Sequence, residues 1–143
     1  MKTNELMIGD WVFNAYHGEN IQITPYDFFT HGHFEDGKYI PTGVTPSNGW
    51  DLDPIPITPE ILEKNGFTYC KSDGGFYLHT TMSYGDWEVE VVVFNATDED
   101  RNNQLHISSP DDSYIAIHLM ECNHVHELQH ALRLCGIKKE IKI

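Results

Sequence analysis

No apolar run in this 143-residue chain approaches the roughly 18 to 20 residues that a membrane-spanning helix requires. A membrane span is therefore not expected. Cysteine is scarce: Cys70, Cys122 and Cys135 are an odd count without paired spacing, which points to reduced core thiols and not to a disulfide framework. Positive charge is scarcer still in proportion, with nine Lys and Arg against 22 Asp and Glu and a formal charge of −13. Such an excess repels nucleic-acid phosphates and anionic lipid unless the bases gather on one face. Only Lys138, Lys139 and Lys142 lie close together in sequence, so direct nucleic-acid binding is not expected. Also missing are a G-x-S-x-G elbow, a glycine-rich phosphate loop and a C-x-x-C pair, which leaves nucleophilic, nucleotide and redox chemistry without an anchor. The opening MKTNELMIGDW lacks the apolar core of a secretory signal, and the expected address is the cytoplasm.

What is present suits a globular domain, with 40% apolar and 12% aromatic residues. Asp10–Asn14 and Ile21–Thr24, joined by the turn-forming stretch Tyr16–Asn20, predict a hairpin. The I-G-D-W-V opening has the form of a small β-barrel's first strand, and Tyr26–Phe34 predicts another strand. Pro41–Pro59, rich in Pro, Gly, Asn and Asp, reads as irregular and places an internal boundary there. Thr58-Pro59-Glu60 is a strong helix start, with Ile61 and Leu62 facing inward and Asn65-Gly66 as the stop. Phe67–Cys70 and Phe76–His79 flank the hairpin turn Ser72–Gly75. Trp87–Phe94, with Trp87, Val89, Val91 and Val93 on one face, predicts the central strand, and Gln104–Ser108 and Tyr114–Met120 predict two more. Asn123 is placed to cap a last helix ending near Cys135-Gly136, and Ile137–Ile143 predicts a lysine-protected edge strand. No internal repeat is visible.

His126-Glu127-Leu128-Gln129-His130 matches the H-E-x-x-H pattern in which two histidines hold zinc and the glutamate acts as general base. On a helix advancing about 100° per residue, Leu128, Ala131, Leu132 and Cys135 form an apolar sector, and His126, His130 and Arg133 lie nearly opposite. This predicts that Val125 and Leu128 anchor the helix and that both histidines face water. A catalytic zinc also needs a third ligand. The positions that would carry the Gly and His of the extended motif are Arg133 and Gly136, and Glu140 lies in a predicted strand. Cys122, His126 and His130 would be strung over about 12 Å of one helix, too far for one ion. His126 and His130 thus remain candidate metal ligands without a completed set, and no cofactor and no catalytic residue is assigned. His31-Gly-His33-Phe-Glu35 could align two imidazoles and a carboxylate on a strand but reads better as a turn. Asp98–Asn102 begins like a calcium loop, but Asn103 and Ser109 stand where Gly and Glu are needed, so it reads as a solvated acidic loop.

Three stretches carry a family resemblance: Asn4-Glu-Leu-Met-Ile-Gly-Asp-Trp-Val12, then Pro54-Ile-Pro-Ile-Thr-Pro-Glu-Ile-Leu62 with Gly66-Phe67, then Val125-His-Glu-Leu-Gln-His-Ala-Leu132. In this order they resemble the signatures of short uncharacterised proteins of gut Bacteroidota and their phages or mobile elements. In that family the last signature commonly reads V-H-Q-L-Q-N, with Gln and Asn at the positions of Glu127 and His130. The resemblance implies a bacterial or phage cytoplasmic protein and transfers no catalytic residue.

The fold predicted is α+β and β-rich. A small-barrel-like segment spans residues 1–57; residues 58–143 supply a helix, an antiparallel meander of four or five strands and a C-terminal helix. The leading functional expectation is a non-enzymatic interaction or accessory protein of a phage or mobile element, with a protein partner. The alternatives are a zinc-dependent hydrolase using His126, Glu127 and His130, and an acidic mimic of nucleic-acid charge.

Overall fold

The computed structural model describes residues 6–15, 17–24, 32–41, 52–83, 85–94, 102–111 and 113–143. The chain forms two compact units, residues 1–55 and 56–143. The sequence boundary was set at 57. Pro56 bridges His124 and the Ile57 amide donates to the Asn123 carbonyl, which ties these residues into the second unit.

In the first unit, β1 (Trp11–Asn14) pairs antiparallel with β2 (Glu19–Gln22) and with β5 (Leu52–Pro54), giving the order β2-β1-β5. The alternation of β1 buries Val12, which packs with Leu6, Ile23 and Leu52. The I-G-D-W opening earns its shape from Asp10: its carboxylate accepts from the Met7 amide at 2.6 Å, and Gly9, at φ 88°, donates to the Ile23 carbonyl. A second hairpin joins β3 (Gly32–Glu35) to β4 (Lys38–Pro41). Its turn is Asp36-Gly37, both at positive φ, the pairing that two-residue hairpin loops favour. No closed barrel forms among the described residues. Two readings change here. Residues 32–35 are strand and not turn, because the Asp-Gly pair that follows supplies the reversal. Part of the stretch read as irregular is β5, a three-residue strand too short to show a pattern. His31, and most of the strand expected over Tyr26–Phe34, lie outside the described residues.

The second unit opens with α1 (Pro59–Lys64), where Thr58 Oγ1 accepts from the Ile61 amide at 3.3 Å. Then β6 (Thr68–Tyr69), β7 (Gly75–Thr81), β8 (Glu88–Phe94), β9 (Gln104–Ser108) and β10 (Ile115–Glu121) form an antiparallel meander in chain order. β8 is the middle strand. Val89, Val91 and Val93 are buried on one face beside Phe76 and Leu78 of β7 and Leu105 and Ile107 of β9. Trp87 does not join them: it precedes the strand and is 61% exposed. α2 (Val125–Leu134) follows. Both helices end alike. Gly66 and Gly136 take positive φ, the next residue donates back to Leu62 or Leu132, and that residue, Phe67 or Ile137, is buried. No helix among the described residues is long and apolar enough to cross a membrane.

Residues 137–143 form no strand. Their place is fixed instead by Asn65, whose amide nitrogen donates to the Lys142 carbonyl at 2.7 Å and whose oxygen accepts from the Lys142 amide at 2.9 Å. One side chain thus replaces the ladder partner expected for this segment.

Candidate functional site

The start of α2 is held by backbone before any side chain acts. The Cys122 amide donates to the Asn103 carbonyl at 2.8 Å, and the Asn103 amide donates to Asn123 Oδ1 at 2.7 Å. Asn123 is therefore engaged away from the helix, and His124 is the N-cap. The two amides just ahead of the first turn are taken by Glu127: its Oε2 accepts from Asn123 N at 2.7 Å and from His124 N at 2.9 Å. This is the glutamate half of a capping box, with Glu at the third helical position. The His124 ring nitrogen Nδ1 lies 3.3 Å from the same oxygen. Partial burial disfavours the charged form, but the two amides and the His124 ring outweigh it and hold the Glu127 carboxyl below its ordinary range. Its contribution to stability is complete above the ordinary carboxylate pKa and is lost as pH falls through the lowered one.

His126 is 6% exposed, a correction to the expectation that it faces water. The buried positions of α2 are Val125, His126, Leu128, Gln129, Ala131 and Leu132, an arc well beyond the apolar sector. The helix is covered on more than its apolar face, which a wheel drawn for a helix packed on one side does not show. Val125 and Leu128 are buried as anchors, and His130 is half-buried. The His126 ring stacks on His124 at 5.7 Å and 18° and meets His130 edge-on at 5.7 Å and 79°. Cys122 is fully buried, and burial, followed by the Glu127 charge, pushes its thiol up to about 12. A neutral buried thiol is a poor ligand and a poor nucleophile. Among the described residues no three His, Cys, Asp or Glu side chains converge to hold a metal. Glu127, cast by the motif as general base, is committed to its own helix.

The sequence reading missed two features. His106 and His118 meet edge-on at 5.2 Å across β9 and β10, and His106 Nε2 is buried without a hydrogen-bond partner among the described residues. Their spacing in sequence gives no signal. The second feature is β10 itself, the outermost strand of the sheet. Tyr114, Ile115, Leu119 and Met120 are each more than two-fifths exposed, and Trp87 packs edge-on against Tyr114 at 6.2 Å. Alternation was visible over Tyr114–Met120, but not that both faces of its end would be open. The acidic stretch at Asp98–Asp100 lies outside the described residues; Asn103, beside it, is buried.

No family model, curated protein or solved structure matches the chain.

Proposed function

We propose that the chain is a non-enzymatic interaction protein whose binding face is the β10 edge. The observation that carries this reading is an outer strand rich in exposed apolar side chains and without a single Lys or Arg. Exposed edges are commonly protected by lysine, proline or distortion, and a contiguous apolar surface on a soluble protein marks a contact site. Among the described residues its protection is distortion: the register with β9 shifts twice, and Leu119 sits at φ 47°. Those shifts interrupt the line of outward amides and carbonyls, so the partner engages side chains instead of adding a long strand. Trp, Tyr and Met are residue types that dominate contact energetics.

Charge specifies the partner. Exposed Asp86 and Glu88 flank Trp87 in sequence, exposed Asp111 precedes Tyr114 and exposed Glu121 follows Met120, and residues 72–132 contain eleven acids and one base, Arg101. Asp111 stays ionised, its carboxyl lowered to about 2 by the Ser113 and Ser109 hydroxyls and the Ser113 amide. A second copy would bring like charges together; a partner with basic groups around apolar anchors would not. An accessory role in a phage or mobile element, and a cytoplasmic address, rest on the sequence resemblance.

Selection of a displayed random-peptide library on this protein, with counter-selection on an Ile115→Lys Leu119→Lys double variant, tests the reading. Enriched peptides should carry Lys or Arg beside aromatic or branched apolar residues and bind the double variant at least tenfold more weakly. Enrichment indifferent to the double variant would sink the proposal. So would stoichiometric zinc in tag-free protein that disappears on replacing His126 and His130, since that would favour the hydrolase.

A further inference from the structure

The three lysines that stood out in sequence are not absorbed by the β10 edge. Two of them, Lys138 and Lys139, line a cleft of about 590 Å³ together with Arg133 at the end of α2. Glu140 is the one acid in its wall. A third of the chain's nine bases therefore border one cavity in a molecule of formal charge −13. Its volume falls in the range of small-molecule sites, roughly 300 to 1,000 Å³.

The ordinary explanation for bases at a helix C-terminus is that they offset the exposed carbonyls. Three of the last four helix carbonyls are already engaged by backbone amides. The Ala131, Leu132 and Arg133 carbonyls accept from the amides of Cys135, Ile137 and Gly136. The Gly136 carbonyl accepts from the Ser83 amide at 2.7 Å and from the Ser83 hydroxyl, closing one end of the cleft. With these four oxygens engaged by backbone and hydroxyl donors, none of them depends on Lys138 or Lys139 for a partner. Lys138 and Lys139 also lie beyond the last helical turn, where the dipole's influence fades. The apolar part of the wall is Leu134, which is 79% exposed, above the buried Ile137.

We infer that this cleft binds a small organic anion, with a carboxylate or phosphate head held by Lys138 and Lys139 and a short apolar body laid on Leu134. A long polyanion does not suit it, because the acidic remainder of the surface repels phosphates outside the cleft.

Titration of the full chain with sodium hexanoate, hexyl phosphate, inorganic phosphate and 1-hexanol, followed by amide NMR shifts at low salt, tests this inference. Hexanoate or hexyl phosphate should give saturable shifts at Ser83, Leu134, Lys138 and Lys139. The stronger of the two identifies the head group. Inorganic phosphate and hexanol should each bind at least tenfold more weakly than the better amphiphile. A Lys138→Glu Lys139→Glu variant should lose at least tenfold in affinity with its unfolding midpoint preserved, and Leu134→Asp should weaken alkyl anions more than inorganic phosphate. No saturable shift up to millimolar probe, equal binding by hexanol, or full affinity in the double-lysine variant would each overturn it.

Discussion

β10 and residues 137–143 are both seven residues long and both built on isoleucines, yet they sit in opposite environments. β10 hydrogen-bonds within a sheet while Ile115, Leu119 and Met120 face solvent. Residues 137–143 belong to no ladder, yet Ile137 and Ile141 are both 3% exposed. Backbone pairing and side-chain burial are therefore separate events in this protein. The first depends on a neighbouring strand, the second on whatever covers the side chains, and Asn65 shows that even the first can be supplied by an amide side chain.

The comparison can be broken from either side. Ile141→Ala should be the most damaging change, about 2–5 kcal/mol in urea unfolding, because a buried branched side chain leaves a cavity. A loss below about 1 kcal/mol would mean that the C-terminal segment does not support the fold. Asn65→Ala should cost about 1–3 kcal/mol, since the Lys142 amide and carbonyl lose their partner. Hydrogen exchange at Lys142 should quicken selectively, and unchanged protection there would remove Asn65 from its assigned role. On β10, Leu119→Gly should stabilise by up to about 1 kcal/mol, because the left-handed backbone disfavours a side chain with Cβ. A clear destabilisation would show that Leu119 contributes packing. Ile115→Thr, on the exposed end of the same strand, should change stability by less than about 0.5 kcal/mol.

The parts of this fold that were legible in sequence are those whose cause is local. Thr58-Pro59 caps α1 through atoms three residues away, Asp73-Gly74 turns β6 into β7, and the valines of β8 announce a strand by alternation alone. What was not legible depends on partners distant in sequence. β5 exists because β1 offers an edge roughly forty residues earlier, and residues 137–143 lie where Asn65 holds them, 77 residues back. The same division runs through the candidate site. The apolar face of α2 was legible, and so were Val125 and Leu128 as anchors; the burial of His126 on the face expected to meet water was not, because it depends on how many sides of the helix are covered. Glu127 could have been read as a cap, since a Glu three residues after an N-cap is itself a helix-start signal. The metal motif claimed the same letter and obscured it.

Glu127 thus stands in two grammars at once, one for starting a helix and one for activating a water molecule. In this chain a single oxygen atom serves the first. Recruiting Oε2 to the second would strip two amides of their acceptor at the moment chemistry began. Use of that oxygen as a general base would require another residue to take over the cap first, so this route to hydrolytic chemistry is gated by two backbone hydrogen bonds.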